Sequence, residues 1–275
     1  MTRLFKHPLR LLALLVISVA GTAVQTAYAD TNTSALSRIK DKGELVLGTS
    51  GNMPSMTFKR DDGKVVGFDI DLARFMASGM DVKLNIKTMP FDKLLPALEK
   101  GDVDMVISNV TINPERNMSV AFVGPYMTSG KCIITKREGL ARAEEATDLN
   151  TSKTRLAALK GSTSAEFVKV LLPEAKLKLV DNFDAALAMV NDDKVGGLMT
   201  DYPICLSTLK DNPDAGYVTV FSLLSYEPIG VALPGDDALF INWTENFLKR
   251  AEGVGLLEEL SLRWFGKLTL VAEEE

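Results

Sequence analysis

The sequence predicts an α/β protein of two lobes, each a mostly parallel sheet flanked by helices, on three observations. Short apolar runs suited to buried strands alternate with segments of helical periodicity along most of the chain. Two such sets of alternating elements, about 90 residues each, follow one another, and each is of ordinary domain size. Their border near Tyr126 to Lys131 is itself strand-like, as an ordered hinge would be, with no Pro- or Ser-rich linker.

The elements follow in order. A short helix around Ser37 to Lys42 precedes the strand Glu44 to Gly48, which runs into the loop "TSGNMPSM". Such a loop, at a strand's carboxyl end, is where open α/β sheets bind ligands. "GFDIDLARFMASG" places Phe68, Leu72, Phe75 and Met76 on one helical face and ends at Gly79. "LNIKTM" reads as a strand, Asp92 to Lys100 as a helix closed by Gly101, and "VDMVIS" as a buried strand. Beyond Gly130, "RLAAL", "KLKLV" and "VGGLMT" read as strands, followed by the helices "STSAEFVKVLL", "FDAALAMV" and "DYPICLSTL". Methionines 53, 56, 76, 80, 89 and 105 are expected to fill the core of the first lobe.

The start of the chain predicts export. Arg3, Lys6 and Arg10 precede an apolar run from Leu11 to Val24, too short to span a bilayer comfortably, and Ala27-Tyr28-Ala29 offers a small-x-small cleavage site before Asp30. Loss of residues 1–29 removes three basic residues and no acid, so the net charge goes from −5 to −8. Acidity without a basic block argues against nucleic acid or an anionic membrane as partner. The single histidine, His7, lies in the removed segment. That excludes Ser-His-Asp and Cys-His nucleophile pairs and histidine-ligated zinc, while carboxylate and lysine chemistry stays open. Cys132 and Cys205 would enter an oxidising compartment; spacing alone leaves both a disulfide and two buried thiols open.

The most informative segment is "ISNVTINPER", residues 107–116. A buried strand ends at Ser108, polar side chains follow at Asn109 and Thr111, and Asn113-Pro114 reads as the cap and first position of a helix. Arg116 then falls in the first turn, where the helix dipole disfavours a cation. A bidentate carboxylate partner would offset that cost; a surface pair with Glu115 is the plainer alternative.

The strings "GFDIDLARFMA" (67–77), "FDKLLPALEKGDVDMVISNVTINPERNMSVAFVGPYMTSG" (91–130), "KGSTSAEF" (160–167), "DNFDAALAMVNDDKVGGLMTDYP" (181–203) and "EPIGVALP" (227–234), in that order, resemble the periplasmic amino-acid-binding proteins of ABC importers, the family 3 extracellular solute-binding proteins. The resemblance covers about Leu36 to Gly266. It implies a type II periplasmic-binding-protein fold with two hinge strands, around Thr128 to Cys132 and Pro228 to Ala232. Lobe 1 would comprise 30–128 with 227–270, lobe 2 would comprise 129–226, and 271–275 would be an acidic tail. It further implies a monomer that captures a small ligand, an amino acid foremost, closes on it and delivers it to importer membrane subunits, with no cofactor and no metal.

Carried over residue by residue, the resemblance gives Arg116 the ligand α-carboxylate, assisted by Ser108, Asn109 and Thr111. Lobe 2 would contribute Gly161, Ser162, Thr163 and Asp201, the last taking the ligand ammonium. Arg116 and Asp201 are both expected to be replaceable without loss of the fold. Met53 stands where the family places a stacking aromatic, Ser50 where many members carry an acid, and Phe91 at a pocket wall, so a neutral amino acid is expected in preference to lysine or arginine. The plainer readings are a Thr163–Glu166 capping box, Asp201 as a helix cap and Asn109 as a turn former. An alternative function is a lyase similar to cyclohexadienyl dehydratases, which carry a catalytic glutamate two positions after the turn threonine; Ala165 stands there.

Overall fold

The computed structural model describes residues 34–143, 145–220 and 225–266. The expected signal segment 1–29, the cleavage expected before Asp30 and the expected acidic tail 271–275 lie outside the described residues. Among the described residues no helix is long and apolar enough to cross a membrane.

The chain opens with helix α1 (Ala35–Lys42), capped by the Ser34 hydroxyl and ended by Gly43 in the left-handed conformation. Strand β1 (Glu44–Thr49) follows, then a small antiparallel sheet of β2 (Asn52–Met53), β3 (Thr57–Lys59) and β4 (Val65–Val66). Helix α2 (Phe68–Gly79), strand β5 (Lys83–Thr88), helix α3 (Leu94–Glu99) and strand β6 (Met105–Val106) complete the run. Strand β7 (Ala121–Ser129) leads through Gly130 into β8 (Lys131–Thr135).

The second half carries two short helices, α4 (Glu138–Ala141) and α5 (Ala146–Leu149), then β9 (Arg155–Leu159), α6 (Thr163–Leu171), β10 (Lys176–Val180) and α7 (Phe183–Asn191). Next come β11 (Gly197–Asp201), α8 (Tyr202–Asp211), β12 (Val218–Val220) and β13 (Glu227–Leu233), and the chain closes with α9 (Ala238–Gly253) and α10 (Leu256–Phe265).

Two five-stranded sheets organise the molecule, in the orders β5-β1-β6-β13-β7 and β10-β9-β11-β8-β12. In each, three strands are parallel, as expected for strands connected through helices. The strands that carry the chain between sheets are antiparallel additions: β13 and β7 in one, β8 and β12 in the other. The two crossings lie side by side, because Glu227 at the head of β13 pairs with Ser129 at the end of β7. The core follows the apolar pattern, with Leu45, Leu47, Met76 and Met105 fully buried.

Three local expectations differ. Phe75 is 40% exposed, and Ile70 and Ala73 fill the buried face of α2 beside Phe68, Leu72 and Met76. The Asp92–Lys100 helix is a 3₁₀ turn over Phe91–Lys93 leading into α3, with Pro96 inside the first turn, where its missing N–H costs nothing. Asn113 does cap a turn, its Oδ1 accepting from the Arg116 N–H at 2.8 Å, but the turn is 3₁₀ over Arg116–Met118, so no long helix dipole acts on Arg116. The two cysteines form a disulfide that ties β8 to α8.

Candidate functional site

The segment after β6 runs alongside β13: Gly230 donates to the Val110 carbonyl, Ile112 donates to the Pro228 carbonyl, and Thr111 bridges Ile229. This lays Asn109 and Thr111 at the carboxyl edge of the first sheet. Asn109 adopts a left-handed backbone, φ 49°, a conformation asparagine tolerates better than most residues. Its N–H is held at 2.8 Å by the buried carboxylate of Asp69, which also accepts from the Tyr126 hydroxyl at 2.7 Å. Burial pushes the Asp69 carboxyl up to about 7 despite those two hydrogen bonds.

From the second sheet, β9 ends in a turn at Gly161, φ 72°, where an added Cβ would crowd Asp92. Ser162 caps α6, its hydroxyl accepting from the Ala165 N–H at 3.1 Å. The cap is therefore Ser162, and the Thr163–Glu166 capping box does not form. Glu166 is exposed, 3.7 Å from Lys169. Thr163 is left free to point at the first lobe, where its hydroxyl lies 3.2 Å from that of Thr111.

Met53, Phe91, Asn109, Thr111, Arg116, Ser162, Thr163 and Asp201 line one cavity between the sheets, together with Leu159 and Met199. Its volume is about 20 Å³, on the scale of a single water. Arg116 stacks its guanidinium over the Phe91 ring at 5.8 Å. Its Nη1 donates to the Thr111 carbonyl at 2.7 Å, and its Nη2 reaches across to the Gly161 carbonyl at 2.9 Å. Burial lowers the Arg116 pKa, and Asp201, Glu227 and Glu115 oppose that. Ser108 is not in the cavity: its hydroxyl accepts from the Ser50 N–H at 2.9 Å and fixes the first loop. Gly161 contributes its carbonyl to Arg116 and borders a second, larger and open groove that Phe91, Arg116, Thr163 and Glu227 also line.

Asp201 stands at the cap position of α8 but makes no capping hydrogen bond. Its Oδ2 accepts from Asn109 Nδ2 at 2.7 Å, across the lobes, and its Oδ1 lies 2.6 Å from the Lys131 ammonium. Lys131 has a side chain with no exposed surface, and its remaining hydrogen bonds go to Thr163 Oγ1 at 2.7 Å and Glu227 Oε2 at 3.0 Å. All three ammonium protons are thus used. Burial alone would raise the Glu227 carboxyl, but the Lys131 charge and hydroxyl donors bring it below its ordinary value. Asp201 is therefore part of a buried ion cluster, and its removal would leave Lys131 short of a partner. Asn109 Oδ1 is a buried acceptor with no hydrogen-bond partner among the described residues.

Sequence reasoning missed Lys131 and Glu227 of the ion cluster and, in the cavity wall, Leu159, Ser164, Met199 and Thr200. Among the described residues no group of three His, Cys, Asp or Glu side chains is arranged to hold a metal ion.

The model of the bacterial extracellular solute-binding proteins, family 3, matches residues 45–267. The L-cystine-binding protein TcyJ of Escherichia coli (strain K12) is 27% identical over 251 residues, covering 91% of this chain and 92% of that protein. The crystal structure of the ancestral amino acid-binding protein AncCDT-1, a precursor of cyclohexadienyl dehydratase, superposes with a TM-score of 0.78 at 33% identity, covering 84% of this chain and all of that one. Cyclohexadienyl dehydratase of Pseudomonas aeruginosa (strain PAO1) is 25% identical over 264 residues, 96% of each chain. The chain belongs to the family 3 solute-binding proteins.

Proposed function

We propose that this family 3 solute-binding protein captures an amino acid between its lobes in the periplasm and hands it, as a monomer, to the membrane subunits of an ABC importer. The reading takes residues 1–29 as a signal removed before Asp30, 30–128 with 227–270 as lobe 1, and 129–226 as lobe 2. One observation carries it: a half-buried guanidinium and an unpartnered buried acceptor, Asn109 Oδ1 beside the Asp201 carboxylate, share one interlobe cavity. A cation at one end and anionic or neutral acceptors at the other match a zwitterion.

The closed cavity is too small for an amino acid, so entry requires the lobes to part. Parting breaks the Arg116 bond to Gly161 and the Asn109 bond to Asp201, leaving on lobe 1 a guanidinium free for the ligand carboxylate. Lobe 2 then contributes Asp201 and Thr163 on closure, so the ligand favours the closed state by bonds made only there. The dehydratase relative keeps lyase chemistry in view. Binding without chemistry is favoured because Ala165 occupies the place of the expected general acid and Glu166 faces solvent.

The test is a thermal-shift and calorimetric screen of the purified protein against the proteinogenic amino acids, cystine and ornithine, with prephenate and arogenate assayed for turnover. A bound amino acid should raise the melting temperature by mass action. A best ligand lacking a carboxylate, or turnover of prephenate, would overturn the reading.

A further inference from the structure

The buried Lys131 has no part in the proposed capture of ligand, and its surroundings suggest one. It heads β8 and stands opposite Asp201 in the antiparallel register of β8 with β11, so the two side chains share a face. Its three partners come from three places: Asp201 from β11, Thr163 from the start of α6, and Glu227 from β13 in the other sheet. Thr163 joins this cluster directly to the cavity. Its hydroxyl accepts from Lys131, donates to Glu227 at 3.0 Å and touches Thr111, whose carbonyl holds Arg116.

The charges close on themselves. Two cations, Arg116 and Lys131, face two buried carboxylates, Asp201 and Glu227, with Glu115 beside Arg116 but exposed to solvent, and each buried carboxylate already has an ammonium at 3.0 Å or less. A net-neutral zwitterion enters such a site without upsetting it. A dibasic amino acid brings a second cation for which, among the described residues, this buried cluster offers no unpaired carboxylate, and an unpaired buried charge is costly. Specificity of this kind comes from making the wrong ligand worse.

We infer that Lys131 is the residue that sets ligand charge: its ammonium occupies the place a dibasic ligand's second cation would need, and so restricts the site to net-neutral amino acids. This rests on the capture reading above and deepens it. Removal of the ammonium, as in Lys131→Met, leaves Asp201 and Glu227 with one unbalanced negative charge beside Thr163, which a lysine, ornithine or arginine side chain can neutralise. Removal of a carboxylate, as in Glu227→Gln, leaves one unbalanced positive charge, which an acidic amino acid can neutralise.

The experiment compares affinities for L-glutamine, L-leucine, L-lysine, L-arginine and L-glutamate, by calorimetry, in the purified wild type and both variants. The wild type should prefer a net-neutral member at least tenfold over lysine and arginine. Lys131→Met should move that ratio at least a hundredfold towards the dibasic ligands. Should that variant fail to fold, Glu227→Gln decides alone, with an expected gain of at least tenfold for L-glutamate relative to L-glutamine. A lysine that merely staples the fold would change melting temperature and leave these ratios alone, and unchanged ratios would overturn the inference. A wild type that prefers lysine or arginine would overturn it equally. A wild type that binds no amino acid fails at the earlier step, sinking the capture reading and this inference with it.

Discussion

The backbone N–H of Asn109 donates to the Asp69 carboxylate at 2.8 Å, so a fully buried acid at the start of α2 fixes the left-handed turn that aims Asn109 into the cleft. The cost of that arrangement depends on pH. Burial raises the Asp69 carboxyl to about 7 from an ordinary 3.8, so the native state holds a proton that the unfolded state has released. The stability this group contributes is full below about pH 4 and is lost as pH rises through about 7, a difference on the order of 4 kcal/mol. Asp69→Asn cannot titrate. Urea unfolding at pH 4.5 and pH 8 should show wild type losing stability relative to Asp69→Asn as pH rises; parallel profiles would refute the account.

Arg116 spends its donors on two backbone carbonyls and one aromatic face, and it acts on the buried Asp201 and Glu227 through its charge, their direct ion pairs going to Lys131. Arg116→Ala should therefore leave the melting temperature within a few degrees of wild type. Loss of a charge-assisted carboxylate contact should cost about 3 kcal/mol or more of binding, on the order of a hundredfold in affinity. Calorimetry with the best ligand from the screen reads this directly. Affinity equal to wild type would remove Arg116 from the site.

Asp201 behaves differently because it serves Lys131 and Asn109 as well as the ligand. Asp201→Ala leaves Glu227 as the one carboxylate on a lysine with no exposed side-chain surface. A stability loss of roughly 3 kcal/mol is expected beside the loss of binding, since breaking a buried pair leaves the remaining charge buried and undercompensated. Denaturant titration separates it from Arg116→Ala; if both variants were equally stable, the ion cluster would be contributing nothing.

Fold class and most elements were legible because period-2 and period-3.6 patterns are local, and β9, α6, β10, α7, β11 and α8 fall where the apolar runs place them. Misreadings concentrated where burial depends on distant partners. Phe75 has helical spacing for the core but stays 40% exposed, while Ile70 and Ala73 are fully buried on the same helix. Lys131 begins "KCIIT", and a lysine at the edge of an apolar run reads as a solvated strand end. What buries it is the β8 register against β11 and the return of β13, contacts 70 and 96 residues away in sequence. Arg116, Asn109 and Asp201 could be proposed from local strings; the ion cluster that neutralises Asp201 could not.

The start of α6 divides two roles that the sequence "GST" leaves merged. Ser162 holds the cap and Thr163 holds the interlobe junction. Ser162→Ala should cost about 1 kcal/mol of stability, the usual value of a lost cap. Thr163→Val removes the hydroxyl that Lys131, Glu227 and Thr111 share, and should weaken ligand binding at least tenfold as well as lower stability. Glu166→Ala should change neither by more than about 0.5 kcal/mol, because its ion pair with Lys169 is a surface contact. A cost at Glu166 like that at Ser162 would restore the capping box.

The disulfide between Cys132 and Cys205 sits one residue from Lys131 and four from Asp201, so it joins the strand that carries Lys131 to the helix that Asp201 immediately precedes. Its loop spans 73 residues, for which chain entropy in the unfolded state gives a stabilisation of about 4 kcal/mol, with 2–4 kcal/mol the usual measured range. Thiol titration of unfolded, unreduced protein should find no free thiol. Cys132→Ser with Cys205→Ser should lower the urea midpoint accordingly while retaining ligand binding at temperatures where the variant is folded, since neither sulfur lines the cavity. Two titratable thiols per chain in the unreduced protein would show that β8 and α8 are held by packing and the Lys131–Asp201 pair alone.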